Sequence, residues 1–155
     1  MLFTPDNADK VMRGRKTKTR RPVKTNQWLA QDPEDGRLAI FERTVKGVRV
    51  KWKVGRTYAV QPGRGKKAWG YATLGQIRDE RVKDISERDA IEEGVVIPEH
   101  KRGVVRLRGG APVARTTYRM EFALLWDSIN AKRGYGWNDN PPVWALTFSD
   151  AERTE

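Results

Sequence analysis

The sequence contains no cysteine and only one histidine, and these two absences exclude several kinds of site. Without cysteine the chain can form neither a disulfide framework nor a thiolate zinc centre. His100 alone cannot build a histidine metal cluster. We therefore expect a site that uses neither a metal nor a cofactor.

Long apolar runs are also missing. No segment approaches the roughly 20 apolar residues that a membrane-spanning helix needs. The first ten residues, MLFTPDNADK, lack the basic-then-apolar order of a secretory signal. These features predict a cytoplasmic protein with no membrane partner.

Positive charge is abundant. The 155 residues carry 31 Lys and Arg against 20 Asp and Glu, a formal net charge of +11. Such an excess attracts polyanions, so nucleic acid is the first partner to consider, although a surplus of charge also serves solubility. The length fits one domain, which we place at residues 1–150, with a frayed tail at 151–155. The oligomeric state stays open, with a monomer as the simplest expectation.

Three short helices are predicted. The first covers ADKVMRG, with Asp6 or Asn7 as its cap and Gly14 as its stop. The second runs from 86 to 94, where a serine cap precedes acidic residues and a glycine follows. The third contains apolar residues at helical spacing between 122 and 129.

Strands outnumber these helices. KTKTRRPV alternates as a strand does, LAIFERT and VRVKWKV form a hairpin, and GRTYAVQPG holds a short strand before an exposed basic loop. YATLGQIRDERVKDI predicts a long strand with a bulge at Gly75, and VWALTF predicts the last strand. Residues 24–36 are polar and turn-rich, and residues 95–118 indicate an irregular insertion with one strand pair. The connections favour an α+β fold, a mixed and mainly antiparallel β-barrel with a few short helices.

The octet GRKTKTRR at residues 14–21 fits the pattern G-x-K-x-x-T-x-R, with fixed positions at Gly14, Lys16, Thr19 and Arg21. This pattern resembles the signature of ASCH domains, which belong to the PUA-like superfamily. Three further segments are similar to that family: VGRTYAVQPG, DISERDAIEEG, and WDSINAKRG followed by NPPVWALTF. The last resembles the end of the longer, phage-associated ASCH proteins.

The resemblance implies a PUA-like β-barrel whose cleft is lined by the octet and binds RNA or a nucleotide. Some small members of this family hydrolyse N4-acylated cytidine with a Lys, a Thr and a Glu, so the resemblance also implies this activity. Residue by residue, these catalytic positions fall on Lys16, Thr19 and Glu93. Glu92 is adjacent and competes with Glu93 for the role, and all three residue types are also common on solvated surfaces.

Two mechanisms are consistent with these residues. In the first, Thr19 attacks the acyl carbonyl while Lys16 takes its proton, and Glu93 orients Lys16 or handles the proton for the leaving amine. In the second, Glu93 activates a water, Lys16 stabilises the oxyanion and Thr19 only binds substrate. Positions 16 and 19 would face opposite sides of a regular strand, so either mechanism requires a bend near Thr17.

Three further residues are candidates for substrate binding: Arg21, Tyr58 and Trp69. Arg21 would hold the base or the sugar end, and the two aromatic residues belong to a group interleaved with cations, as base stacking on RNA requires. That group also supports an alternative function, an RNA-binding ASCH domain, with or without ribonuclease activity, that does not hydrolyse nucleosides. Most such rings pack in the core of β-rich domains, and Trp126 and Trp144 are assigned there. The GRGKK loop does not have the order of a phosphate-binding P-loop.

Overall fold

The computed structural model describes residues 1–106 and 108–154. Within this part of the chain lie three α-helices, α1 (Pro5–Met12), α2 (Glu87–Glu92) and α3 (Tyr118–Asn130). The strands of the same residues are β1 (Lys18–Pro22), β2 (Gln27–Gln31), β3 (Leu38–Thr44), β4 (Gly47–Lys53), β5 (Thr57–Val60), β6 (Gly70–Arg81), β7 (Val104–Arg106), β8 (Pro112–Ala114) and β9 (Pro142–Arg153). Short 3-10 turns connect several of these elements.

The strands form two main sheets and one small hairpin. One sheet has the order β1-β9-β6-β5, the other has the order β2-β3-β4, and β7 pairs with β8. Every named pair is antiparallel, and an isolated parallel bridge joins Leu2 to Gln61. The predicted α+β class with mainly antiparallel pairing is confirmed.

The two main sheets share a core. Ile40 and Trp52 of the three-stranded sheet pack with Leu74, Trp144 and Leu146 of the four-stranded sheet. Burying apolar side chains from both sheets stabilises their face-to-face packing, because each sheet alone would expose one apolar face.

A second apolar cluster packs α2 and α3 against the start of β9. Phe122 and Trp126 of α3 pack with Ala90 of α2 and with Val143 at the start of β9. The apolar spacing that predicted α3 therefore marks the face that it buries. Trp126 and Trp144 are both buried, as predicted.

The helix caps follow the sequence signals with one correction. The hydroxyl of Ser86 accepts a hydrogen bond from the amide of Asp89, which confirms the predicted start of α2. The cap of α1 is Thr4, whose hydroxyl accepts from the Asn7 amide, and not Asp6 or Asn7. Pro5 occupies the first helical position, where its missing amide hydrogen costs nothing, so the helix starts earlier than its polar residues suggested.

Two strands differ from their predictions. The segment 24–36 contains β2, which sequence periodicity missed because its apolar residues are contiguous and do not alternate. The final strand continues to Arg153 and pairs with β6, so residues 151–153 of the expected tail lie in the sheet. The bulge predicted at Gly75 is confirmed by a register shift in the pairing of β6 with β9.

Residues 95–118 contain the expected strand pair. All six residues of β7 and β8 are exposed, so this hairpin contributes little to the core. No helix in the described ranges has the length and apolar character needed to cross a bilayer.

Candidate active site

A cleft of about 820 Å³ opens between the N-terminal segment, β1, β4 and α3. Its size suits a nucleotide-sized ligand, because small-molecule sites commonly enclose about 300 to 1,000 Å³. Five of the six residues predicted for the site line it: Lys16, Thr19, Arg21, Tyr58 and Glu93. A smaller cavity of about 560 Å³ between the β7–β8 hairpin and α3 contains none of them.

Trp69, the sixth predicted residue, lies elsewhere. Its ring packs against an apolar cluster that includes Val11 of α1 and Phe148 of β9. The neighbouring lysines suggested a base-stacking platform, but the ring covers the junction of α1 with the sheet. The substrate-binding role predicted for Trp69 therefore has no support from its position.

The chain bends before β1, as the candidate chemistry requires. Lys16 precedes the strand, and its backbone amide donates to the carbonyl of Lys10 at 3.1 Å. The amide of Thr17 donates to the carbonyl of Glu92 at 2.8 Å, which ties this segment to the end of α2. Strand alternation begins only at Lys18, so the side chains of Lys16 and Thr19 both reach the cleft.

Glu93 and Lys16 form a buried ion pair. The Lys16 ammonium donates to Oε2 of Glu93 at 2.7 Å and to the Glu93 backbone carbonyl at 2.8 Å. Each residue is only 3 to 4% exposed. The competing residue Glu92 instead pairs with Lys18 near the surface. The placement of these two carboxylates favours Glu93 as the residue that faces the cleft.

Gly94 allows this pair to form. Its φ of +86° is a left-handed conformation that other residues rarely adopt, and it ends α2 immediately after Glu93. A Cβ atom at this position would lie 3.1 Å from the Cβ of Lys16. A side chain at residue 94 would therefore be strained by the backbone and would force Lys16 to shift away from the end of α2.

Arg20 belongs to the same cluster, although the sequence analysis missed it. Its side chain is fully buried, and its guanidinium contacts Glu80 at 2.5 Å, Asp89 at 2.6 Å and Glu93 at 3.1 Å. Arg20 thus holds Oε1 of Glu93 while Lys16 holds Oε2. Charge-assisted hydrogen bonds to both oxygens fix the orientation of the carboxylate. We call Lys16, Arg20, Asp89 and Glu93 the cleft floor.

One sequence signal could have revealed this cluster. Asp89 precedes Glu93 by four residues, and residues four apart on a helix lie on the same face. The octet pattern fixes Arg21 and leaves position 20 free, so the pattern gave no reason to choose Arg20. On the strand, Arg20 and Thr19 point in opposite directions, and both are buried.

Electrostatics in the cleft floor follow from burial and pairing. Burial lowers the pKa of the Lys16 ammonium below its usual value, although the negative charge of Glu93 opposes this shift. Burial alone would raise the pKa of Asp89, but hydrogen bonds from Lys18 and Arg20 outweigh it and hold that pKa low. Burial therefore shifts Lys16 toward its neutral form, whereas pairing keeps Asp89 toward its charged form.

Thr19, which directly precedes Arg20 in the sequence, carries a buried hydroxyl group. Within the described residues its side chain makes no hydrogen bond, and it lines the cleft. An unengaged hydroxyl in a concave site is available to a ligand or a reacting group.

Arg21 and Tyr58 are partly committed to other contacts. Arg21 donates to the carbonyl of Leu2 at 2.6 Å, and its guanidinium lies 5.0 Å from the centre of the Phe3 ring. The Tyr58 hydroxyl accepts a hydrogen bond from the Lys53 amide at 2.7 Å. Tyr58 can therefore offer a ligand its ring more readily than its hydroxyl oxygen.

Other cations line the cleft beside the floor. Eight Lys and Arg residues line the cleft, and Glu93 is the one acidic residue among its described lining residues. Three of the eight have carboxylate partners, since Arg49 pairs with Glu42. The other five form no ion pair within residues 1–106 and 108–154, and we call them the rim cations: Arg21, Lys24, Lys51, Arg64 and Arg133. Nor do the described residues place three or more acidic or histidine side chains as a metal-binding group.

Comparison with known proteins supports the fold. No family model and no curated protein sequence matches this chain. Among solved structures, the chain is similar to an ASCH domain from Lactobacillus crispatus, with 14% identity, a TM-score of 0.50, and coverage of 92% of this chain and 69% of that one. It is also similar to a DUF984 protein from Enterococcus faecalis, with 13% identity, a TM-score of 0.52, and coverage of 98% and 78%.

These neighbours first define the class, an α+β protein with mainly antiparallel sheets. Its particular fold is that of ASCH-domain structures. The resemblance inferred from the octet is thus confirmed at the level of the fold.

Proposed function

We propose that this protein is an amidohydrolase that removes the acyl group from N4-acylated cytidine or a related nucleoside. The observation that carries the proposal is the buried pair of Lys16 and Glu93, which opens into the same cleft as the unengaged Thr19 hydroxyl. A buried ion pair at the base of a concave site is a frequent arrangement of catalytic acids and bases.

The geometry supports specific roles for these three side chains. In the acylation step, the Thr19 oxygen bonds to the acyl carbon as its proton passes to Lys16. The bond from that carbon to the cytosine N4 then breaks, and N4 takes a proton from Lys16. Water subsequently hydrolyses the threonyl ester, which releases the carboxylic acid and restores the Thr19 hydroxyl.

One property of Lys16 supports this role, because burial lowers its pKa and so brings it nearer to the neutral form that can accept a proton than an exposed lysine would be. Its contact with Glu93 means that it must turn or lengthen that hydrogen bond when substrate enters. Glu93, held by Arg20, would return the ammonium to its position after the proton transfer.

The competing route uses water as the nucleophile, with Glu93 as its base and Thr19 as a binding group. The two routes differ in what they require of residue 19. Trapping an acyl group on Thr19 supports the first route, whereas full activity of both Thr19→Ser and Thr19→Ala excludes it.

The experiment that tests the function is the ultraviolet absorbance change on mixing the protein with N4-acetylcytidine and N4-benzoylcytidine. We expect turnover that disappears in Lys16→Ala and Glu93→Ala and persists in Lys46→Ala, a cation in the exposed turn between β3 and β4. Absence of turnover by the folded protein would overturn the proposal.

A second candidate is favoured by one observation, the five rim cations without carboxylate partners. A positively charged groove beside aromatic rings is typical of proteins that bind single-stranded RNA. In that case the protein would bind RNA, with or without cleaving it, and would not hydrolyse the nucleoside. Steep loss of RNA affinity with salt, together with no turnover of acylated cytidine, is the result that selects this function.

A further inference from the structure

Four of the five rim cations, all except Arg64, lie close enough to a neighbouring rim cation to repel it. The positive charge of Arg133 lowers the pKa of Arg21 further than burial does alone, although Glu93 opposes both. Burial likewise lowers the pKa of Lys51, and the charges of Arg49, Lys24 and Arg21 add to that effect against the opposing Glu42. Like charges held together without counter-ions destabilise the folded protein.

Arg21 adds an independent geometric observation. Its Nε atom is buried and has no hydrogen-bond partner among the described residues. The Arg21 side chain also lines the cleft, so a ligand there can reach the guanidinium. Buried polar atoms are usually satisfied, so this donor leaves a position that an acceptor oxygen of a ligand can fill.

The neighbouring side chains define the chemistry of that group. Lys51 lies with its ammonium 5.4 Å from the centre of the Trp52 ring, which also lines the cleft. Lys24 and Arg64 are exposed, and Arg133, in the turn that follows α3, lines the same cleft. Several cations around one buried donor suit a phosphate, which carries up to two charges and several acceptor oxygens, better than they suit a neutral sugar.

We propose that the rim cations bind a phosphate group of the ligand, so that the site takes a cytidine nucleotide, free or within RNA, in preference to the neutral nucleoside. This inference deepens the proposed function by naming the class of its substrate. The floor acts on the base while the rim holds the phosphate, and the aromatic residues Trp52 and Tyr58 line the same cleft.

Calorimetric titration tests the proposal without any need for turnover. Cytidine, cytidine 5′-monophosphate, cytidine 3′-monophosphate and a short cytidine-containing RNA are titrated into the protein at low and high salt. We expect at least one monophosphate to bind about tenfold or more tightly than cytidine, because one charge-assisted contact is worth about 1.4 kcal/mol or more. Raising the salt should reduce this preference.

Variants locate the effect. The double variant Lys51→Gln and Arg133→Gln should lose the preference for phosphate. Lys46→Gln, at an exposed cation of the β3–β4 turn that does not line the cleft, should keep it. Equal binding of cytidine and both monophosphates, or a preference that survives the double variant, overturns the proposal. So does the absence of phosphate binding up to millimolar concentration.

The same titrations separate this proposal from the hydrolase proposal and distinguish the two sources of phosphate. Tighter binding of a monophosphate without hydrolysis of any acylated cytidine would leave the phosphate site standing and remove the enzyme. Turnover of N4-acetylcytidine and its 5′-monophosphate at equal kcat/KM, with equal binding, would instead support the enzyme and remove the phosphate site. Affinity for RNA far above that of either monophosphate identifies the polymer as the source, whereas similar affinities identify the free nucleotide.

Discussion

The cleft floor and the cleft rim contain charges in opposite situations. In the floor, Lys16 and Arg20 are buried and each contacts a carboxylate within 3.1 Å. At the rim, Lys24 and Arg64 are exposed and have no carboxylate partner within the described chain. A buried charge without a partner is strongly destabilising, whereas an exposed charge is solvated and can stay unpaired until a ligand binds. The floor is therefore organised before substrate arrives, and the rim is completed by it.

Replacing Glu93 should give the largest effect, a loss of unfolding free energy that comes from the buried floor. Glu93→Ala leaves Lys16 and Arg20 without a shared carboxylate, and losing one member of a buried pair costs about 3 to 5 kcal/mol of unfolding free energy. Denaturant unfolding monitored by tryptophan fluorescence measures it. Glu92→Ala is the matched control, since Glu92 pairs near the surface, and we expect a loss of about 1 kcal/mol or less. Similar losses in the two variants would contradict the distinction between floor and surface.

Replacing Lys16 separates catalysis from folding. Lys16→Met keeps the length of the side chain and leaves Glu93 with Arg20 as its remaining partner. We expect kcat for an acylated cytidine to fall by a factor of about 10² to 10⁴, the usual contribution of a general base. Lys10→Met, at a cation that pairs with Asp6 in α1, should retain activity. A Lys16→Met protein with normal kcat would exclude Lys16 from the chemistry.

Gly94→Ala tests the close approach of α2 to Lys16. The left-handed φ of +86° strains alanine, and the new Cβ would press on Lys16, so we expect a loss of about 1 to 3 kcal/mol and reduced turnover. Gly109→Ala has a similar φ of +74° with nothing within 4 Å of the added atom. It should lose stability through backbone strain alone and leave turnover unchanged, so an equal loss of turnover would show that no specific contact at Gly94 matters.

The pH dependence of stability should distinguish Lys16 from Lys18. Because burial lowers the pKa of Lys16 below 10.5, the unfolded chain binds more protons than the folded chain in the window just below that value. The stabilisation of wild type relative to Lys16→Met should therefore rise as pH increases through this window.

Lys18 provides the opposite sign. Burial alone would lower its pKa, but its hydrogen bonds to Asp89 and Glu92 outweigh this and raise it above 10.5. Its contribution is therefore fully present below 10.5 and is lost as pH rises through the raised value. Chemical denaturation across this range measures both differences, and parallel curves for Lys16→Met and Lys18→Met would contradict the assignment.

The smallest effect is expected at the rim. Arg64→Gln should change the unfolding free energy by no more than about 0.5 kcal/mol, because an exposed cation without a partner stabilises little. Thermal unfolding in the presence and absence of cytidine monophosphate shows whether its role lies in binding. A large loss of stability in the absence of ligand would mean that the rim is structural after all.

Local sequence signals predicted much of the fold, and the reasons are physical. The serine cap and the glycine stop of α2 act within a few residues of each other, so they can be recognised without knowledge of the tertiary structure. The strand β2 could not be recognised in this way, because its pairing with β3 decides its conformation and its own residues show no alternation.

Residues of the candidate site could be predicted where they belong to a sequence pattern. They could not be predicted where contacts between distant parts of the chain determine which side chains meet. The octet led to Lys16 and Thr19, and the structure places both in one cleft. Arg20 depends on carboxylates 60 to 73 residues away, which no local pattern reveals. The position of Trp69 could not be predicted for a related reason, since the same ring suits base stacking or packing on α1 and only the tertiary structure shows where it packs.

The pairing of Arg20 with three carboxylates has a consequence for how this sequence can diverge. A mutation at Arg20 leaves Glu80, Asp89 and Glu93 with uncompensated charge, and the loss of any one carboxylate changes the balance for the others. Single substitutions in this group are therefore penalised even where a double substitution would be neutral. These four positions should change together or not at all, so in relatives of this chain an altered residue 20 should be accompanied by altered acids on β6 and α2.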